Sequence, residues 1–406
     1  MAARTVGPAV CLGCGCACDD VAVTLQQGRV TGAERACPLG RAWFGDGVVP
    51  ALVRIGGTDA ALETAVARAA DLLRAGPALV YLAPGLSTEA YRAAIALADV
   101  AGARLDSVTS DTGALSVIAG QRRGRATATL GEIRHRADLI VFWGLDPAER
   151  YPRYRERYTR SGATVVAVDV GAARGPADAA DRVALPPGSE VAALGVMRAT
   201  LLGRAIADLS GPLAGAAALA GRMARARYVA IVHDAEPAGE ADPQRAEGLI
   251  GLAQVLNIPT RCALSSLRAG GNRSGADSAI TWQTGYPFAV DFTWGVPRYR
   301  PDESASNVVG IMRSVLVAGE AAALPQAVVR ALGAPAVAVV GPRASEAPFA
   351  AEVAIDTGVA GIHEGGTAYR LDDVPLPLTP MLEHPLLAAA VLGAMTGALA
   401  RRASAR

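Results

Sequence analysis

Short apolar runs alternate with longer Ala-rich stretches along most of the chain. "ALVYLAP" leads through "GLSTE" into "AYRAAIALADVAGA". Ser87 stands where a helix N-cap is wanted, and Glu89 suits the positive first turn. "ADLIVFWG" follows, then a loop with "DPAERYPRY", then "ATVVAVDV". Further on come "RYVAIVHD", a helix over "PQRAEGLIGLAQVLN", and "PAVAVVGP". Apolar runs of this length bounded by Gly, Pro and Asp read as buried parallel strands. Their alternation with helices predicts an α/β doubly wound fold. Ligands in such sheets sit beyond the carboxyl ends of strands, so the loops after Trp143, Val232 and Val340 form the expected binding edge.

One segment breaks this pattern. From Arg268 to Ser304 the chain is rich in Gly, Pro and aromatics, with Trp282, Tyr286, Phe288, Trp294 and Tyr299. A long irregular stretch in a compact protein is expected to be a functional or interface loop. The alternative is an Ω-like loop packed on its own aromatics. Near the end, "PLLAAAVLGAMTGALA" is shorter than the ~20 residues of a membrane span and predicts a helix on the core or on a partner. The expected division is a cysteine-rich subdomain over 1–50, a first α/β domain over 51–170, a second over 171–345 that includes the aromatic loop 268–304, and a C-terminal cap with its helix over 346–406.

Composition narrows the chemistry. Half of the 406 residues are apolar, enough for a large core, and the net charge of +1 points to neither nucleic acid nor a membrane surface. All basic residues are Arg. The lack of Lys excludes a Walker-type phosphate loop, a Schiff-base lysine and a lysine general base. "MAARTVGPAV" lacks the layout of a signal peptide, so a cytoplasmic protein is expected. In that compartment clustered cysteines argue for metal rather than disulfides.

Cys11, Cys14, Cys18 and Cys37 are spaced C-x2-C-x3-C-x18-C. Three close thiolates can wrap one corner of a site and a distant one can close it. Soft thiolates suit an iron–sulfur cluster or zinc. Gly13 and Gly15 let backbone amides approach, and Pro38 follows the last cysteine. The single-cysteine second arm favours a four-iron cluster over zinc, whose sites use paired arms. Cys16 is the spare: an alternative ligand, or a small residue in a tight loop. Cys262 is expected in the core. Of the histidines, His135 is expected solvated on a helix and His233 in a surface loop at the binding edge. His363 and Glu364 are expected in a structural loop. The run from Arg150 to Arg160 is flanked by Glu149 and interleaved with Glu156, which argues against nucleic acid and leaves a choice between a vestigial cofactor wall and a charged subunit interface.

These motifs together resemble the B subunit of formylmethanofuran dehydrogenase, one of the molybdopterin or tungstopterin oxidoreductases related to formate dehydrogenase. The resemblance runs nearly end to end. It is carried by "CLGCGCACDD" with "ACPLG", "LGEIRHRADLIVFWGLDPAERYPRYRERY", "TWQTGYPFAVDFTWGVPRYRPDES" and "GIHEGGTAYRLDDVPLPL". It implies doubly wound sheets of the molybdopterin oxidoreductase type, a four-iron cluster on Cys11, Cys14, Cys18 and Cys37, and α/β domains that clasp two pterins. The family's chemistry uses a metal-ligating cysteine beside a histidine, in a Cys-His-Gly-Pro-Ser-Val run before a Gln. Here "TGALSVIAGQ" aligns through Ser116, Val117 and Gln121, which puts Thr112 at the cysteine and Gly113 at the histidine. A neutral threonine hydroxyl is a poor ligand for a soft high-valent metal, and glycine transfers no proton. A second family run, Arg-Gly-His-Tyr-Asn, matches "RAGGN" at Arg268 and Asn272, but Gly270 replaces its histidine.

Two separate departures therefore strip catalytic groups from one pocket. The resemblance with these losses implies a non-redox B subunit of the formyltransferase/hydrolase complex of methylotrophic bacteria. That complex moves a formyl group from a tetrahydromethanopterin carrier to a methanofuran-like carrier and hydrolyses it to formate. Partners would be its amidohydrolase-like, C-type and formyltransferase subunits, the pterin would be absent, and the cysteines could keep their cluster or outlast it. The alternative is an active dehydrogenase interconverting CO2 and formylmethanofuran on a molybdenum or tungsten pterin. A third is a cluster scaffold that uses only the N-terminal cysteines.

Overall fold

A computed structural model describes residues 3–235 and 243–403. The chain divides into two compact units: residues 1–112 with 270–406, and residues 113–269 between them.

The larger unit is built on a nine-stranded mixed sheet. Its centre is parallel, in the order Arg104–Ser107, Ala78–Leu82, Ser314–Ala318, Ala336–Gly341, Val353–Asp356. Short antiparallel strands finish both edges. Side chains alternate across such a sheet, and both faces are covered here. Val80, Leu82, Leu316 and Val340 join the core under the helices Leu62–Arg74, Thr88–Ala101 and Ala388–Ala403. Leu79, Tyr81, Val315 and Val339 face a second core on the other side. Ser87 caps Thr88–Ala101 as expected, its Oγ accepting from the Ala90 N–H at 3.1 Å. The C-terminal helix lies on the core, burying Val391, Leu392, Met395 and Leu399.

The smaller unit carries a five-stranded, wholly parallel sheet in the order Asp181–Leu185, Thr164–Val170, Leu139–Trp143, Tyr228–Asp234, Arg261–Leu267. Leu139, Val141, Val166, Val229, Ile231 and Cys262 pack in its core with residues of the helices Glu190–Leu201, Gly211–Arg225 and Pro243–Leu256. Cys262 is the buried core residue expected of it.

Several expectations need correction. The strands Leu139–Trp143 and Thr164–Val170 belong to the inserted unit, whereas Ser314–Ala318 and Ala336–Gly341 return to the first sheet. The boundaries drawn at 170/171 and 345/346 therefore fall inside units, because sheets assemble by strand pairing rather than chain order. The cysteine-rich segment is not a unit of its own. Its antiparallel sheet of Arg4–Ala9, Val21–Gln26 and Arg29–Glu34 adjoins a loop whose Val10, Leu12 and Ala17 share a core with Ala360, Ala368, Leu376 and Leu378. Within the aromatic segment Arg273–Thr284 is a helix, burying Ala276, Ala279 and Ile280 at helical spacing. Among the described residues no helix is long and apolar enough to cross a membrane.

Candidate functional site

The four cysteines are held by short-range geometry. The Cys11 N–H donates to the Cys18 carbonyl at 2.9 Å, and the Ala17 N–H to the Cys14 carbonyl at 3.1 Å, which closes a tight loop after the first strand. Cys37 caps the helix Pro38–Phe44, its Sγ accepting from the Gly40 N–H at 3.4 Å. Gly40 packs tightly here: a Cβ there would stand 3.1 Å from Cys11 Sγ and 3.8 Å from Cys37 Sγ. The spot that a methyl group would fill thus lies beside two of the four sulfurs. Burial pushes the Cys11 thiol up to about 12, and Cys14, Cys18 and Cys37 add to the shift, while the Gly13 N–H opposes it. Cys14 is pulled down to about 7, chiefly by a hydrogen bond from the Cys16 side chain, against the effect of burial and with help from the Cys16 N–H. All six cysteines are free thiols. Among the described residues no three His, Cys, Asp or Glu side chains are placed to hold a single metal ion.

The positions expected to be degenerate, and the retained Arg268, lie near the two chain boundaries of the inserted unit: Thr112 ends one stretch of the larger unit and Gly270 begins the other, while Gly113 and Arg268 belong to the inserted unit. Thr112 turns its hydroxyl back to the Val108 carbonyl at 2.9 Å. Gly113 is the residue before the helix Ala114–Arg123. Arg268 is half-buried. Gly270 is the most constrained. A Cβ there would lie 2.3 Å from the Leu12 carbonyl oxygen, 2.7 Å from Cys14 N and 2.8 Å from Cys14 Cα. All three atoms are backbone, so no side chain enters unless the cysteine loop moves. Asn272, at φ +59°, is buried and fixes this turn: its Nδ2 donates to the Leu86 carbonyl at 2.9 Å, and its Oδ1 accepts from the Tyr369 N–H at 2.7 Å.

A polar network that sequence reasoning missed runs from Asp106 to Thr112. Buried Asp106 accepts from Ser110 Oγ at 2.7 Å, Ser107 N at 2.8 Å and Ala289 N at 3.0 Å. Burial nevertheless raises its carboxyl to about 7. Asp277 accepts from Thr109 Oγ1 and Ser107 Oγ at 2.8 and 3.1 Å. The dense polar run "LDSVTSDT" was the available signal.

At the carboxyl edge of the inserted unit's sheet the charges pair with one another. Glu190 accepts from Trp143 Nε1 at 2.6 Å and from Arg245 Nε at 2.9 Å. Asp169 pairs with Arg182, and Asp234 with Arg150. His233 is buried rather than in a surface loop, because it lies within the strand Tyr228–Asp234. Its Nε2 is 2.8 Å from Ser266 Oγ, and its Nδ1 is 3.1 Å from the Asp234 carbonyl. Most of the loop expected after Val232 lies outside the described residues. His135 is exposed as expected. His363 and Glu364 are structural: His363 Nε2 donates to the Gly47 carbonyl at 2.9 Å, and Glu364 accepts from Ala388 N at 2.8 Å at the start of the C-terminal helix. In the Arg-rich run, Arg155 makes a bidentate pair with Asp178 at 2.6 and 2.9 Å, and Arg153 contacts Glu156.

No family model matches the chain. It is 28% identical to the B subunit of tungsten-containing formylmethanofuran dehydrogenase 2 of Methanocaldococcus jannaschii, over 94% of this chain and 95% of that protein. It is 33% identical to the B subunit of the formyltransferase/hydrolase complex Fhc of Methylorubrum extorquens, over 77% of this chain and 87% of that one. The fold matches a chain in the crystal structure of the formyltransferase/hydrolase complex FhcABCD from Methylorubrum extorquens in complex with methylofuran. The TM-score is 0.74 at 25% identity, covering 87% of this chain and 99% of that chain. With its cysteine loop, its parallel sheets and a likeness to both that spans most of each chain, the chain belongs to the family of B subunits named for formylmethanofuran dehydrogenase and for the formyltransferase/hydrolase complex.

Proposed function

We propose that this chain is a non-redox B subunit of a formyltransferase/hydrolase complex in tetrahydromethanopterin-linked oxidation of one-carbon units to formate. Its role is to organise the assembly, while transfer and hydrolysis run on amidohydrolase-like, C-type and formyltransferase partners. The observation that carries this reading is Gly270. The cysteine-loop backbone stands where a side chain would have to go, so the histidine that the family resemblance expects has no room. Thr112 supports it, since its hydroxyl is committed to Val108 and a threonine suits no soft metal. The paired charges at the carboxyl edge of the inserted unit agree with an edge that no longer holds a pterin. Cys11, Cys14, Cys18 and Cys37 hold a four-iron cluster as a structural staple; such a cluster ties together chain segments far apart in sequence.

Metal analysis of the native complex tests this. Molybdenum and tungsten should be absent while formyl transfer and hydrolysis proceed, and Thr112→Ala should leave both rates unchanged. Placing Cys at Thr112 and His at Gly113 should not produce CO2 reduction. A stoichiometric molybdenum or tungsten pterin, or a Thr112→Ala complex that assembles but does not turn over, would establish the active-dehydrogenase reading instead.

A further inference from the structure

We propose that a groove on the inserted unit docks a partner-protein segment that carries a carboxylate among apolar side chains, and that Arg198 receives this carboxylate. The inference rests on the assembly role given above. The groove lies between the helices Ala114–Arg123, Glu190–Leu201 and Pro243–Leu256 and holds about 570 Å³. Leu115, Ile118, Val191 and Leu194 give it apolar walls, and Leu115 is 40% exposed. Arg198 lines it half-buried. Its Nε is shielded from solvent without a hydrogen-bond partner, and among the described residues no carboxylate pairs with its guanidinium. The guanidinium lies against Gly251, where a Cβ would stand 3.2 Å from both its Cζ and its Nε. Glycine weakens a helix interior, and here it leaves the room that Arg198 fills.

A shielded guanidinium without an acceptor forfeits a hydrogen bond that water would otherwise supply. A carboxylate docked in the groove supplies the missing countercharge, and a guanidinium can hold it with two parallel hydrogen bonds. Arg122 and Arg123 also line the groove, but both are exposed and share Glu247, at 3.4 and 3.0 Å. The excess positive charge is therefore centred on Arg198. Glu247 repels a phosphate chain or other polyanion, whereas a single carboxylate flanked by apolar side chains matches both the walls and the charge.

The test uses the assembled complex with a photoreactive benzophenone side chain at position 115. Cross-linked peptides identify the segment in the groove. Association of the subunits is then measured for wild type, Arg198→Gln and Arg198→Glu, with circular dichroism to establish folding. A partner peptide with Asp or Glu among apolar residues is expected. Arg198→Glu should weaken association roughly thirtyfold, and Arg198→Gln, which keeps the stem beside Gly251, by less. Replacing the cross-linked partner acid with Arg should restore association to Arg198→Glu. Folded Arg198 variants that associate as tightly as wild type overturn the docking site alone. So does a cross-link to this chain only, to a partner peptide without an acid, or to no protein. A wild-type chain that joins no assembly removes the assembly role, and the docking site with it.

Discussion

Single residues in this chain show how backbone contact and burial decide what a position can hold. A missing side chain at 270 is not merely an absence, since backbone of the cysteine loop stands in the space that a side chain would need. His233 shows the cost of burying a titratable group without a countercharge. Burial lowers its pKa from 6.5 to about 3, and Arg245 and Arg125 push the same way. The folded state therefore disfavours the proton that the unfolded state accepts. The contribution of His233 to stability is full above pH 6.5 and fades as pH falls towards 3. The expected slope is up to about 1.4 kcal/mol per pH unit. Denaturant midpoints of the chain measured across this range should show the decline, and His233→Gln should flatten it. A wild-type curve without slope between pH 6 and 4 would contradict the burial argument.

Among the elements, the C-terminal helix shows how a loop can cap a distant segment. Glu364 accepts from the first two N–H groups of Ala388–Ala403, Ala388 at 2.8 Å and Ala389 at 3.3 Å, and from Ser87 Oγ at 3.2 Å. Ser87 itself caps Thr88–Ala101, so one carboxylate ties together the starts of two helices that share a core. Negative charge at a helix N-terminus is favourable, and these donors are buried. Glu364→Ala should cost about 1–3 kcal/mol, because it leaves N–H groups unsatisfied as well as removing a charge. Thermal unfolding measures it, with Glu364→Gln falling between the two. An unchanged melting temperature in Glu364→Ala would mean that water replaces the carboxylate.

At the scale of the whole molecule, the aromatic segment combines two properties. Phe288 is fully buried, and Tyr286 and Tyr299 stack at 5.2 Å. Trp282 and Trp294 remain 57% and 65% exposed, and Arg298 covers the Trp294 ring. The segment is thus partly a core element and partly a display of aromatics of the sort that interfaces use. Deleting Trp282 to Tyr299 should unfold the larger unit. Trp282→Ala with Trp294→Ala should keep the fold but weaken assembly, with activity falling in proportion to lost complex. Size-exclusion chromatography with circular dichroism separates these outcomes. If the double variant assembles normally, the exposed tryptophans are not an interface.

The apolar runs and their punctuation were enough to determine the strands Ala78–Leu82, Leu139–Trp143, Thr164–Val170, Tyr228–Asp234 and Ala336–Gly341, the Ser87 cap, the C-terminal helix and the α/β class, since each depends on local patterning and burial, but Ser314–Ala318 at the centre of the larger sheet was not picked out. The cysteine quartet, with Thr112, Gly113 and Gly270, could be singled out from sequence because residue type bears on whether a group can ligate metal or carry a proton; the roles assigned to them remain part of the proposed function. The strand Val21–Gln26 was overlooked despite its alternation, and Arg273–Thr284 was hidden by its Gly, Ser and Thr. Other features had no signature in the linear order. Which strands share a sheet depends on pairing, so the inserted unit cut across the expected domains. The burial of His233, the reach of Glu364 to residue 388 and the contact of Gly270 with Cys14 all join positions far apart in sequence. Only folding places those groups together, and their chemistry follows from desolvation and contact rather than from composition.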